Sequence, residues 1–242
     1  MTTLTVLSVL FGLLAIGAGV WWAVVICRIA RAMSSGLSLK RGLLDQARAS
    51  SISIIVPAHN EERTIGSCIA SLRAQDVEGL QIIVVADRCT DGTEDIVRSH
   101  AEEDERVLLV SNGTCPSTWA GKCHAARIGA EHATGSWLAF IDADTSSDPR
   151  LLHAAVSEAK RRETALLSLL TDLDCRHWFE RSTQPVATMA LLTIFPPDSV
   201  NRETRNRTFA NGQFMLFDRA WYERIGGHAA VKDDLLEDIA FA

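Results

Sequence analysis

The sequence predicts an α/β protein in which a mainly parallel sheet with flanking helices is preceded by one N-terminal transmembrane helix. Three observations predict it. From Ser51 onward, β-branched runs alternate with helical segments, the pattern of a parallel sheet covered on both faces. The apolar run 136–141 stops abruptly at Asp142 and Asp144, as a buried strand does when its carboxyl end opens into a site. No side chain from Met1 to Cys27 is charged, and about 20 apolar residues suffice for a helix to cross a bilayer.

Leu4 to Ile26 is the expected span. It lacks the basic start and small-residue cleavage site of a secretory signal. Arg28, Arg31, Lys40, Arg41 and Arg48 follow it against a single acid, Asp45. The positive-inside rule then places the rest of the chain on the cytoplasmic side of a cell membrane crossed once. Residues 1–27 read as an anchor, 28–50 as a juxtamembrane linker and 51–242 as one sizeable domain.

Within that domain Ser51 to Pro57 is the first strand, and Asn60 is placed to cap a helix with Ile65, Ile69 and Leu72 on its apolar face. Gln81 to Ala86 is a second buried strand. Asp91, with Glu94 three residues on, reads as a capping-box-like helix start. Arg106 to Val110, Gly121 to Thr134 and Trp137 to Ile141 give strand, helix, strand. Asp148 and Pro149, an N-cap and a first-turn proline, introduce a helix from Leu151 to Arg161. The alternation then loosens: Ala165 to Leu170 and Gln213 to Phe217 read as strands, and Gly226-Gly227 as a turn. The apolar stretch Val186 to Phe195 is too short to span a membrane; it reads either as a core helix or as an interfacial segment that meets lipid.

The chain has 242 residues, 47% of them hydrophobic, enough for one domain with a real core. Its net charge of -6 and the lack of a basic cluster with interleaved aromatics argue against a nucleic-acid partner. Six scattered cysteines without a C-x-x-C pair read as reduced thiols. His59, His124 and His177 show no metal spacing, and Cys89 and Cys123 no base partner, so all five read as packing or surface residues. Arg202, Arg205 and Arg207 read as a solvated face.

Chemistry concentrates after three strands. Side chains alternate along a strand, so Asp142 and Asp144 share a side, where two hard oxygen donors suit a divalent cation that also holds substrate phosphates. Polar residues also follow the first strand, Pro57-Ala58-His59-Asn60-Glu61, and the second, Asp87 to Thr93. All three ends converge on one crevice if the strands are parallel.

This ordered set resembles a family 2 glycosyltransferase with the GT-A fold, a Rossmann-like nucleotide-diphospho-sugar transferase, over Ser51 to the last residue. The resemblance implies that Asp87 contacts the nucleotide base and that Pro57, Ala58, Asn60 and Glu61 pack round the nucleoside. It implies that Asp142 and Asp144 hold Mn2+ or Mg2+ against the diphosphate, and that Lys122, in Gly121-Lys122, reaches the nucleotide or its phosphates. Glu237-Asp238 is similar to the family's late catalytic Glu-Asp motif, with Asp238 as general base; from the residues alone, Asp233, Asp234, Glu237 and Asp238 also read as a solvated helix face. Trp119 to Lys122, Ala210 to Leu216 and Gly226-Gly227-His228 look most like membrane transferases that glycosylate carotenoids, and their hopanoid-associated relatives. Two departures stand out: Ala86 replaces the first of two acids that usually end the second strand, and no Gln-x-x-Arg-Trp segment follows Asp238, so the C-terminal part reads as truncated.

The expectation is therefore a membrane-anchored, metal-dependent, inverting transferase moving a hexose from a nucleotide-diphosphate sugar, with uridine diphosphate as the expected carrier, to a hydroxyl of a lipidic acceptor. Transfer to a polyprenyl phosphate or polysaccharide by the same fold, or a non-catalytic scaffold, are the rival readings.

Overall fold

In a computed structural model the described residues are 3–34, 38–39, 42, 50–175, 177–196, 200–201, 209–232 and 237–241. The apolar runs form a six-stranded sheet of order β3-β2-β1-β4-β6-β5. Its strands are β1 (Ser50–Ala58), β2 (Glu78–Asp87), β3 (Val107–Asn112), β4 (Trp137–Ile141), β5 (Leu166–Ser168) and β6 (Phe214–Asp218). β3, β2, β1 and β4 run parallel, with Ile54 opposite both Ile82 and Ala139. β6 runs antiparallel to β4 and to β5, so the sheet is mixed where the sequence alternation loosens.

Helices α1 (Thr3–Ser34), α2 (Ile65–Arg73), α3 (Thr93–Glu103), α4 (Gly121–His132), α5 (Leu151–Arg162) and α6 (Trp178–Ile194) are followed by the short α7 (Arg219–Arg224), α8 (Gly227–Ala230) and α9 (Glu237–Phe241). The chain forms two compact units, Met1–Ser38 with Leu173–Thr208, and Leu39–Asp172 with Phe209–Ala242.

The sheet unit is built by alternation. On β1, Ile52, Ile54 and Val56 face one core with Ile69 and Leu72 of α2 and Leu152 and Val156 of α5. Ile55 faces the other, with Ala125 and Ala126 of α4 and Phe140, Phe217 and Tyr222. Period-2 side chains on a strand buried on both faces explain why 51–57 is apolar almost throughout. Helix α4 lies close to the sheet because residue 129 is glycine: a Cβ there meets Ile55 Cγ2 at 2.4 Å and Val85 Cγ2 at 3.1 Å.

His228 is buried in the second core. Tyr222 Oη accepts the His228 backbone N–H at 3.2 Å and shares a hydrogen bond with His228 Nδ1 at 2.7 Å. Burial, with a smaller push from Lys122, drives the ring's pKa down to about 3 and keeps it neutral.

The helix starts differ from the sequence expectation. Asn60 is not an N-cap: it sits in the left-handed region (φ 58°), and its Oδ1 accepts the Thr90 backbone N–H at 2.8 Å, while α2 starts five residues later. Asp91 does not form a capping box with Glu94. Its Oδ1 accepts Thr93 N–H and hydroxyl, and its Oδ2 accepts Glu62 N–H. Both side chains clamp the loops after β1 and β2 to each other, a long-range use that local spacing does not reveal. Asp148 is not the N-cap of α5 either: that position is Arg150, Pro149 precedes the helix, and Asp148 Oδ1 accepts Arg150 N–H at 2.9 Å in the turn before it.

In the other unit, α1 continues past Arg28 and Arg31 to Ser34, and Thr5–Arg28 is long and apolar enough to cross a membrane. The core-helix reading of 186–195 fails. Its residues through Ile194 are the second half of α6, which contains Pro185 and buries none of its residues, leaving Trp178 80% and Val186 61% exposed. The helix meets α1. Most of the expected linker, together with Arg202, Arg205, Arg207, Asp233 and Asp234, lies outside the described residues.

Gly129→Ala is expected to cost about 1–3 kcal/mol through overpacking against Ile55, seen as a Tm lower by about 2–4 °C per kcal/mol in melts of the detergent-solubilised chain. His228 predicts an acid dependence. Its folded pKa lies below the unfolded value of 6.5, so its contribution is present above pH 6.5 and is lost as pH falls toward 3. Denaturant titrations at pH 7 and pH 5 should show wild type losing about 2 kcal/mol more than His228→Gln over that interval; equal losses would remove this role.

Candidate active site

Because β2, β1 and β4 are neighbouring parallel strands, their carboxyl ends open on the same edge of the sheet. A cavity of about 410 Å³ lies there. Pro57, Ala58, His59 and Glu61 line it from the end of β1, Asp87 and Arg88 from β2, Gly121, Lys122 and Ala125 from α4, and Asp142, Ala143 and Asp144 from the turn after β4. Asn60 is not among the lining residues; it braces the rim through Thr90.

Asp87 is 3% exposed and held on both oxygens. Its Oδ1 accepts from Asn112 Nδ2 at 2.6 Å, and its Oδ2 accepts from Arg88 Nη2 at 2.6 Å and Nε at 3.1 Å. His59 Nδ1 donates to the Asp87 carbonyl at 2.6 Å. Arg88 takes up this position with a left-handed backbone (φ 50°), a conformation that costs a side chain of this kind of order 1–3 kcal/mol and persists where surrounding contacts enforce it. Opposite, a Cβ on Gly121 would lie 2.5 Å from Arg88 Nη2, so a side chain there would displace the guanidinium from Asp87. Glu61 is fixed by its neighbours, its Oε2 accepting from the Thr64 hydroxyl at 2.7 Å and its N–H donating to Thr93 Oγ1 at 2.8 Å.

Lys122 joins the remaining candidates. Its Nζ lies 2.7 Å from Asp142 Oδ1 and 3.3 Å from Glu237 Oε1. Burial pulls the ammonium pKa down, but Asp142 and then Glu237 outweigh it, and the net shift is upward. Burial pushes the Asp142 carboxyl up despite the lysine, with Asp144 and Glu237 adding to the rise. Asp238 stands next to this group: its Oδ2 accepts Gly212 N–H at 3.0 Å and its Oδ1 accepts Ile239 N–H at 2.9 Å. A Cβ on Gly212 sits 3.3 Å from both Asp238 Oδ2 and Lys122 Nζ.

Asp142 and Asp144 leave β4 in the turn after Ile141, with Ala143 buried between the half-buried Asp142 and the exposed Asp144. Two carboxylates on the open side fit a hard divalent cation, which takes six or more oxygen ligands and so fills the rest of its sphere from substrate and water. Among the described residues no group of three or more His, Cys, Asp or Glu could hold a metal, so a cation here relies on the substrate for further ligands.

Sequence reasoning missed Arg88, Asn112 and Gly212. The signal for Arg88 was its place beside Asp87, while Asn112 and Gly212 meet their partners only through the fold. His124 packs edge-on to Trp119, and Cys123 Sγ lies 3.8 Å from the Val231 carbonyl, in keeping with packing roles. Glu180 accepts the His177 backbone N–H at the start of α6.

The Glycosyl transferase family 2 profile matches residues 53–226. A 4,4'-diaponeurosporenoate glycosyltransferase of Staphylococcus aureus (strain bovine RF122 / ET3-1) is 29% identical over 194 residues, 78% of this chain and 50% of that protein. Its counterpart in Staphylococcus haemolyticus (strain JCSC1435) is 27% identical over 223 residues, 84% of this chain and 57% of that protein. The chain thus spans about half the length of the curated relatives it matches. A mannosyltransferase, PcManGT from Pyrobaculum calidifontis, solved with GDP-Man and Mn2+, superposes with TM-score 0.57 at 24% identity over 85% of this chain and 58% of its own. S. aureus TarS solved with UDP superposes with TM-score 0.51 at 17% identity over 73% of this chain and 49% of its own. These superpositions establish the GT-A fold. With the profile covering most of the sheet and every strand-end segment of the cavity, the chain belongs to glycosyl transferase family 2.

Proposed function

We propose that this chain is the catalytic part of a membrane-bound, metal-dependent, inverting glycosyltransferase. It moves a hexose from a nucleotide-diphosphate sugar, with uridine diphosphate as the leaving group, to a hydroxyl of a lipidic acceptor such as a carotenoid. The observation that carries the reading is the convergence of Asp142, Asp144, Lys122, Glu237 and Asp238 beside a cavity floored by the ends of β1 and β2.

The roles follow from charge and position. Pro57, Ala58, Glu61 and Asp87 line the part of the cavity assigned to the nucleoside, with Arg88 holding Asp87 in place. Asn60 keeps its assignment to that part as a brace. Asp142 and Asp144 hold Mn2+ or Mg2+, which when bound supplies positive charge to the departing diphosphate. Lys122 adds a second positive charge on the same side. Asp238 takes the proton from the acceptor hydroxyl as that oxygen attacks the sugar carbon and the nucleoside diphosphate leaves from the opposite side. The backbone N–H groups of Gly212 and Ile239 fix the orientation of its carboxylate, and Glu237 holds Lys122 within the cluster.

The membrane assignment is supported by α1, whose span precedes an excess of basic residues. In this reading 1–27 anchors the protein by a single crossing in this chain and the domain from residue 51 works at the cytoplasmic face. The lipidic acceptor is supported by the names of the 27–29% identical relatives.

Asp238→Asn is expected to lower turnover about 100- to 10,000-fold with uridine diphosphate affinity nearly unchanged; near-normal turnover removes Asp238 from the mechanism. Calorimetric titration of uridine diphosphate with Mn2+ should give binding in wild type and none in Asp142→Ala/Asp144→Ala, whereas equal binding in both would move the metal elsewhere. Incubation with radiolabelled donor and a carotenoid or hopanoid should label that lipid; label in a polyprenyl phosphate or a polymer instead would reassign the acceptor.

A further inference from the structure

Two carboxylates, Asp142 and Glu237, share one ammonium. Arg88, the other Lys or Arg lining the cavity among the described residues, is committed to Asp87 at 2.6 Å. Lys122 is therefore the positive charge that compensates Asp142 in this structure, at 2.7 Å. Its side chain is 43% exposed where it lines the cavity, against 8% for Glu237, so the lysine has room to move and the glutamate does not. A divalent cation held by Asp142 would compete with the ammonium for that carboxylate, and two such positive charges a few ångströms apart would repel strongly in a partly desolvated site.

We propose that Lys122 is a built-in counter-ion for Asp142 that a donor diphosphate draws away, so that tight metal binding follows donor binding. The proposal rests on the donor and metal reading given above and deepens it. Without donor, the ammonium satisfies a half-buried carboxylate that otherwise stands unpaired. The diphosphate supplies both what the lysine needs, a new anionic partner, and what the metal needs, further oxygen ligands beyond the two carboxylates. Because Glu237 shares the ammonium at 3.3 Å, the same displacement frees a carboxylate next to Asp238.

The test is Mn2+ binding by electron paramagnetic resonance on the detergent-solubilised chain, with and without uridine diphosphate, after allowance for the Mn2+–nucleotide complex in solution. Wild type is expected to bind Mn2+ weakly alone and at least about tenfold more tightly with the nucleotide, and linkage requires Mn2+ to raise nucleotide affinity by the same factor. Lys122→Met, and Lys122→Gln as a second neutral replacement in case one disturbs folding, should bind Mn2+ alone about tenfold more tightly than wild type, with a smaller gain from nucleotide. Asp142→Asn in the Lys122→Met background should abolish that gain in affinity. Unchanged Mn2+ affinity in both folded lysine variants, with nucleotide-dependent binding intact in wild type, overturns the counter-ion role alone. No Mn2+ binding in wild type even with nucleotide overturns the donor reading and the counter-ion role with it.

Discussion

The parallel pairing of β1 with β2 on one side and β4 on the other is the constraint on which the rest of the structure depends. Ile54 stands between Ile82 and Ala139, and every residue of β1 from Ile52 to Val56 is fully buried. A strand enclosed in this way needs helices on both faces, which α2 and α5 supply on one and α4 on the other. Parallel pairing also sets all carboxyl ends at one edge, where backbone groups and polar side chains no longer belong to the ladder. The site is a consequence of that geometry.

Charge then organises what the sheet brings together. At the cavity floor Asp87 is buried but satisfied by Arg88 and Asn112, and farther along Asp142 and Glu237 are satisfied by Lys122. A buried carboxylate without such partners is costly. The arrangement differs from the Asp104 cluster, where Arg106 and Arg73 hold the Asp104 carboxyl well below its ordinary range and take no part in lining the cavity. Around Asp104 the pairs close on themselves; around Lys122 they open onto a cavity that suits an anionic ligand.

The α1 and α6 unit follows a different logic. Most of its large apolar residues are exposed, Phe11, Leu14, Trp178 and Val186 among them, while Val25 is buried. In the sheet unit most large apolar side chains, such as Ile54 and Phe217, are buried. Apolar helices of this kind are stable where lipid or further protein replaces water.

Much of the fold was legible in the sequence because the signals are local. β-Branched runs and apolar helix faces located β1, β2, β4, α4 and α5 close to their observed bounds. An apolar face and a charge-free N-terminal stretch also found α2 and α1, although α2 starts five residues after Asn60 and α1 continues to Ser34. The acids after β4 marked the site for the same reason, since an apolar run ending in Asp142 and Asp144 is a local pattern. What local patterns misread were side chains with distant partners. Asn60 and Asp91 carry cap-forming chemistry yet bond across the two loops, and 186–195 has the composition of a core helix yet buries none of its α6 residues. The sequence by itself determined the order of strands and helices, the acidic strand end and the apolar N-terminal helix, because hydrophobic periodicity and turn chemistry act over a few residues. Only the tertiary structure decided that Lys122 bridges Asp142 and Glu237, that Gly212 holds Asp238 and that Asn112 shares Asp87 with its neighbour Arg88, because Lys122, Gly212 and Asn112 meet their partners through the fold and not through spacing along the chain.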